Sequence, residues 1–360
     1  MSLSNPRGLD WLLLTAAIFV CAAGALTLNA RLAVSETVKQ SIARVKPALP
    51  SEPKRGRPAT IGFDLGKVGA VTTRHTTPLF QAPDPGSAVL RRLRLNVLLP
   101  IDGVSGSFLR VMTPCEAVGW VRASDVFLHP RASGPPGGLR QAVLVLDPGH
   151  GGMQAGAVGP NGLAEKDANL AIAYRLAGYL KGARLFLTRT GDFTAGLRYR
   201  TAIANSLNAH ALISIHNNSA PDGPSSRPGS ETWHQSGSPP AQRLSNSIWT
   251  SLVDGLRHFK IKWVGDKKAG TRTRLNERGH DFYGLLRGST VPTVLVEAMY
   301  ISNGPEEALL RRADGQDAVA KAVAKGLRSY VSKAKADVSK PYPGAVGTAG
   351  GVPAGCVDPA

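Results

Sequence analysis

The chain has 360 residues, 42% hydrophobic and 19% charged, with 40 glycines and 3 cysteines. Those proportions exclude a disordered polymer, a collagen-like fibre and a disulfide scaffold, and the length fits about two domains. Lys and Arg number 43 against 25 Asp and Glu, a net charge of +18 that points to an anionic partner: nucleic acid, a membrane surface or an acidic wall polymer.

Residues 11–28, WLLLTAAIFVCAAGALTL, are almost continuously apolar between Arg7 and Arg31. The run is close to the minimum for a membrane span. It also has the layout of a signal peptide, with Ala23-Gly24-Ala25 as a small-residue cleavage site. Residues 1–30 are therefore read as a signal peptide or a membrane anchor. Either way the chain is exported, to the periplasm or cell envelope, with inner-membrane attachment through residues 11–28 if the leader stays uncleaved. Val20 before Cys21 is not the small residue of a lipoprotein signal. Export makes nucleic acid a poor partner, and none is expected. Cys115 and Cys356 remain outside the leader, and the sequence leaves open whether they pair.

Residues 31–59 are polar, basic and broken by Pro47, Pro50, Pro53 and Pro58, which predicts a linker. Residues 60–130 carry short β-like pieces between turn signals: Gly69–Thr73, Ser87–Leu90, Val97–Leu99, Phe108–Val111 and Gly119–Val121. Their order, above all Gly119-Trp120-Val121 followed by Ser124 and Val126, resembles a bacterial SH3-like domain. That resemblance implies a small all-β barrel of a kind that often binds cell-wall peptides, with Trp120 read as core. Residues 131–141, opening with RASGPPGG, are a second linker, expected to be flexible. Across residues 142–334, strand-like runs alternate with helical patterns. This predicts an α/β domain, a mixed, mostly parallel sheet flanked by helices. Residues 335–360, rich in Gly, Pro and Ala, are expected to be disordered.

Four residues at the ends of apolar runs carry chemistry. His150 follows Val143–Leu146 in Leu-Asp-Pro-Gly-His-Gly-Gly, where Pro148 stops the strand and glycines leave room around the imidazole. That suits a metal ligand, although a histidine capping a turn explains it as well. Glu165 precedes a helix with apolar positions at 3.6 periodicity, and alone reads as a carboxylate favoured in a first turn. His216 ends Ala211–Ile215. Open α/β sheets build sites at the carboxyl ends of strands. Two imidazoles and a carboxylate meeting there make a His₂Glu set, a catalytic zinc arrangement that leaves one position for water. Glu297 ends Thr293–Val296, where a carboxylate is costly unless paired, hydrogen-bonded or beside a metal. It is either a general base or a salt-bridged structural glutamate. No cofactor beyond the metal is expected. Asn218, His234 and His280 are candidates for a substrate cleft, bordered by the basic stretch from His258 to Arg278. His75, His129, His210 and His258 have no ligand-like setting.

From about Ala142 to Tyr330 the chain closely resembles the zinc-dependent N-acetylmuramoyl-L-alanine amidases. The resemblance is carried by LDPGHGG, GAVGPNGLAEKDANLAIA, LTRTGDF, LRYRTAIAN, ALISIHNNSAP, GSETW, FYGLLRGSTVPTVLVEAMYISN and Pro305-Glu306-Glu307, in order. It implies zinc ligands at His150, Glu165 and His216, a catalytic glutamate at Glu297, a structural role for Arg200, and peptidoglycan as substrate. The chain departs from the family at Met153-Gln154-Ala155, Asn217, Met299-Tyr300 and Gly304, which puts substrate detail in doubt and not the reaction. Ser219–Gly229 is too short and too rich in Pro, Gly and Ser for the autoinhibitory helix of some members. Two other classes stay open: a non-catalytic wall-binding protein, and a zinc peptidase cutting within the stem peptide.

Overall fold

The computed structural model describes residues 64, 67–220, 227–265, 270–348 and 351–360. The expected leader and basic linker lie outside the described residues. All described residues belong to one compact unit, Pro47–Ala360. Among them, no helix is long and apolar enough to cross a membrane.

The first seven strands form one antiparallel sheet: β1 (Val68–Thr73), β2 (Thr77–Phe80), β3 (Val89–Leu93), β4 (Leu98–Ser105), β5 (Phe108–Met112), β6 (Val118–Arg122) and β7 (Val126–Pro130), in the order β3-β2-β6-β5-β4-β1-β7. Side chains alternate between the faces of a strand, and here both faces are used. Val71, Leu99, Leu109, Val111 and Val121 fill the sheet's own core. Their neighbours Ala70 and Leu98 turn outward into a second apolar cluster. Trp120, expected in the core, is only half-buried, because Gly119 and Val121 on either side take the inward positions.

The rest of the chain builds the α/β fold: β8 (Val143–Pro148), α1 (Glu165–Tyr179), β9 (Arg184–Leu187), α2 (Leu197–Ser206), β10 (Ala211–Asn218), β11 (Glu231–His234), α3 (Pro239–Leu256), β12 (Thr271–Arg272), α4 (Gly284–Gly288), β13 (Thr293–Tyr300), α5 (Gly304–Arg311) and α6 (Ala313–Ser332). The sheet order is β12-β11-β13-β10-β8-β9. β13, β10, β8 and β9 run parallel, and β11 is antiparallel to β13. Helices cover both faces, which is why β8 is buried along its whole length. Leu144, Leu146, Ile213 and Ile215 pack on Ile172, Leu176, Ile248 and Leu327 from α1, α3 and α6. Val143, Val145 and Leu212 face the other way, onto Tyr199, Ile203 and Leu285 from α2 and α4, together with Ala70 and Leu98. The two sheets therefore share a hydrophobic layer. Tyr199 also donates its hydroxyl to the Leu98 carbonyl at 2.7 Å, and a side chain at Gly69 would collide with the Ser206 carbonyl oxygen.

Two expectations need correction. The stretch 131–141 is held and not flexible. Ala132 N–H donates to the Leu207 carbonyl, and His210 bridges the stretch to β8. His210 Nδ1 accepts from Val143 N–H at 2.9 Å, which leaves Nε2–H facing the Gly134 carbonyl at 2.9 Å. The tail 335–360 is not disordered in its described parts. Val338 is buried in the core, Arg243 clasps Asp337, and Tyr342 donates its hydroxyl to Ser236 O and Asp281 Oδ2. At the far end Cys356 forms a disulfide with Cys115. Asp358, 5% exposed, accepts from Cys115 N–H and pairs with Arg91. The tail lacks a core of its own, but a few anchors suffice where the folded surface already supplies their partners.

The disulfide closes a separation of 241 residues, and such a closure restricts the unfolded chain strongly. Cys356→Ser should lower stability by about 2–4 kcal/mol, read as the denaturant midpoint. An unchanged midpoint, with or without reductant, would mean that the tail adds nothing to the fold.

Candidate metal centre and active site

Three donors meet beyond the carboxyl ends of β8 and β10. His150 lies in the loop after β8 with a φ of 61°, a left-handed conformation rare outside glycine. Glu165 is the first residue of α1, and His216 lies in β10. His150 Nε2 is 3.0 Å from Glu165 Oε2, and His216 Nδ1 is 2.9 Å from Glu165 Oε1. Ligand atoms of the three residues all lie within 4.8 Å of one another. Space is kept clear around them. A Cβ at Gly149 would sit 2.2 Å from the His216 ring, and one at Gly156 would sit 2.5 Å from Glu165 Oε2. Two imidazoles and one carboxylate converging this closely fit a divalent cation.

The frame around the donors is polar and buried. Asp147, 1% exposed, accepts from Thr188 Oγ and Ser214 Oγ at 2.6 Å each and pairs with the Arg200 guanidinium. Arg200 also donates to the carbonyls of Pro148 and His150. Burial alone would push the Asp147 carboxyl up, but the Arg200 charge and hydrogen bonds from Ser214, Thr188 and Arg200 hold it below the usual carboxylate range. Arg189, also buried, donates to the carbonyls of Pro148, Gly149 and Lys166. Glu165 accepts from the backbone N–H of Ala157 and Asn217 and from Asn169 Nδ2. Against its burial, hydrogen bonds from the two imidazoles hold the Glu165 carboxyl below the usual carboxylate range. The loop before α1 is fixed in turn by buried Glu307, which accepts from Asn161 and Leu163.

Glu297 lies in β13, paired in register with His216 on one side and Glu231 on the other. Its Oε2 is buried and has no hydrogen-bond partner among the described residues. Burial, reinforced by the charges of Glu165 and Glu231, raises its pKa well above the ordinary glutamate value. Glu231 is itself tied down: Tyr300 donates its hydroxyl to Oε1 at 3.0 Å, and Arg272 lies 3.5 Å away.

The cleft candidates fare differently. Asn218 ends β10, two residues past His216. His234 is buried at the far end of β11, opposite Val294, with Nδ1 against the Gln235 carbonyl, so it does not belong to the site. His280 lines a separate cavity beside α4. Sequence reasoning missed Asp147, Arg189, Asn169 and Glu231. The buried polar set was signalled only by charged residues beside apolar runs, as in Leu-Asp-Pro and Leu-Thr-Arg.

Asp147→Asn should leave the Arg200 guanidinium buried without its counter-charge and cost roughly 3–5 kcal/mol. The folded-state pKa lies below the ordinary 3.8. The carboxylate therefore stabilises fully above that value, and its contribution is lost as pH falls through the folded pKa. Denaturant midpoints of variant and wild type, measured from neutral into acid, should converge. A gap that stays constant would remove the carboxylate's charge from the explanation.

The sequence profile of the N-acetylmuramoyl-L-alanine amidase family matches residues 144–329. The chain is 31% identical over 240 residues to N-acetylmuramoyl-L-alanine amidase AmiA of Escherichia coli, a match covering 58% of this chain and 82% of AmiA. It is 35% identical over 191 residues to N-acetylmuramoyl-L-alanine amidase LytC of Bacillus subtilis, covering 52% of this chain but only 35% of LytC. Among solved structures, N-acetylmuramoyl-L-alanine amidase AmiC2 of Nostoc punctiforme is 31% identical, covering 53% of this chain and 98% of that one, with a TM-score of 0.46. The matched segment holds His150, Glu165, His216 and Glu297 together, and the chain belongs to the N-acetylmuramoyl-L-alanine amidase family of hydrolases.

Proposed function

We propose that this chain cuts the amide between the lactyl group of N-acetylmuramic acid and the L-alanine of the stem peptide, with zinc held by His150, Glu165 and His216. The observation that carries the reading is Glu297, a half-buried carboxylate whose Oε2 is closed off without a hydrogen-bond partner among the described residues and which is paired across the sheet with His216. Zinc, when bound, polarises a carbonyl and lowers the pKa of water. Glu165 stays ionised as the anionic donor. Glu297 takes the proton of the attacking water and later gives it to the departing L-alanine nitrogen. Its raised basicity suits a group that must both accept and return a proton. The chain acts outside the cytoplasm, in the periplasm or cell envelope, after export by the leader over residues 1–30, or attached to the inner membrane through residues 11–28.

The seven-stranded sheet is proposed as an SH3-like module that holds the enzyme on the wall. Support comes from its strand pattern and the basic residues of β3. Arg91 is already paired with Asp358, and Arg94, just past the strand, lies over the Phe193 ring, which leaves exposed Arg92 as the candidate contact. Arg92→Glu should weaken sedimentation with purified sacculi at low salt and change little at high salt. Equal retention at low salt would exclude this contact.

Glu297→Gln should keep its metal and lose about 10²–10⁴-fold in turnover. His150→Ala and His216→Ala should lose metal and turnover together. The first measurement is mass spectrometry of digested muropeptides. Bare sugar strands with intact stem peptides support the proposal, whereas shortened stems would identify a peptidase. Stoichiometric tightly bound zinc in both histidine variants would disprove the ligand assignment.

A further inference from the structure

A cavity of about 680 Å³ opens beside α4, lined by Arg274, Arg278, Arg287 and His280 against one carboxylate, Glu277. Its opposite wall is the C-terminal tail at Val346–Thr348, beyond the segment matched to the family. The tail is built into that wall: Val346 N–H donates to the Arg287 carbonyl, and a Cβ at Gly288 would meet Thr348 Cγ2 at 2.3 Å. The Cys115–Cys356 disulfide and Asp358 hold the end of the same segment.

A row of ring and charge contacts leads from the catalytic carboxylate to this cavity. Glu231 pairs with Glu297 across the sheet. Arg272 lies near Glu231 and over the Trp233 ring, and Trp233 packs on Tyr283 at 5.3 Å. Tyr283 touches Phe282, which carries Arg274 on its face at 3.7 Å. The Tyr283 phenol is pushed up to about 12, first by burial and then by the charge of Glu297. The Arg287 guanidinium is occupied by the carbonyls of Asp281 and Phe282. The Arg278 side chain has no partner among the described residues and is exposed at the rim.

We infer that this cavity, walled by the C-terminal tail, binds the free carboxylates of a peptide whose amide bond lies at the metal centre. The identity of that peptide as a wall stem rests on the function proposed above; its acidity does not. Three guanidinium groups against one carboxylate favour an anionic ligand. The volume lies in the usual range for a small-molecule or short-peptide site. A carboxylate-reading pocket placed away from the reacting bond positions substrate without entering the chemistry.

The test is binding, measured by calorimetry on the metal-loaded full chain. The probes are a short peptide that begins in L-alanine and bears several free carboxylates, the same peptide with those carboxylates amidated, and inorganic phosphate. The free acid should bind roughly ten-fold more tightly than the amide. Arg274→Ala combined with Arg278→Ala should abolish that preference, with metal content and melting temperature unchanged. Cys356→Ser, assayed below its melting transition, should reduce the preference by freeing the tail. Equal affinity for acid and amide would overturn the inference, as would a preference that survives in the double arginine variant. Phosphate competing as strongly as the peptide would mark a general anion site and also overturn it. Because the readout needs no turnover, failure to cleave muropeptides would count against the proposed reaction and leave this inference to stand or fall by binding.

Discussion

The buried ion pair between Asp147 and Arg200 is the constraint on which the site depends. Asp147 is the penultimate residue of β8, Thr188 follows β9 and Ser214 lies in β10, so one carboxylate ties three parallel strands at a single level. Arg200, from α2, completes the pair and reaches the carbonyls of Pro148 and His150. These contacts hold the loop that keeps His150 at a positive φ. A left-handed histidine is strained on its own and persists only where its surroundings over-determine it. The candidate metal donors are thus positioned by polar contacts inside the protein.

That network also explains what the sequence did and did not disclose. Apolar runs such as Ala211–Ile215 are readable because a parallel strand covered on both faces must be apolar throughout. Their ends are readable because strand ends are where polar side chains can project. Arg200 was recognisable as structural by resemblance, whereas its partner Asp147 stood unremarked inside the motif that carries His150. His234 was the opposite case. His234 was a candidate for the cleft, but β11 runs antiparallel to β13. It is therefore the start of β11, at Glu231, that lies beside Glu297. Strand direction comes from tertiary pairing, and local pattern carries no sign of it.

The tail and the second linker were misjudged for a related reason. Gly, Pro and Ala are scored as unable to form a core, which is correct for the segment alone. Val338, Tyr342, Cys356 and Asp358 do not need one, because the surface they cross is already folded. The same logic joins the two sheets. Ala70 and Leu98 occupy the positions on β1 and β4 that alternation assigns to the outer face, and there they meet β8, α2 and α4 and not solvent. An all-β segment with apolar residues on both faces of a strand is a segment that expects a neighbour.

Glu165, in contact with His216, and Glu297, the register partner of His216 on β13, show how two neighbouring carboxylates take opposite characters. Both are removed from water, which by itself would favour their neutral forms. Glu165 is surrounded by donors, with both imidazoles, two backbone N–H groups and Asn169 directed at its oxygens, and it remains an anion. Glu297 receives no such compensation at Oε2, and the charges that act on it, those of Glu165 and Glu231, are themselves negative. Environments that push two titratable groups apart in this way divide the labour between them. In the reaction proposed above, that division suits Glu165 to an anionic donor and Glu297 to a group that gains and loses a proton. Tyr300 sharpens the contrast. Its hydroxyl, on the same strand as Glu297, holds Glu231 at Oε1, so one of the charges that add to burial in raising Glu297 is fixed in place.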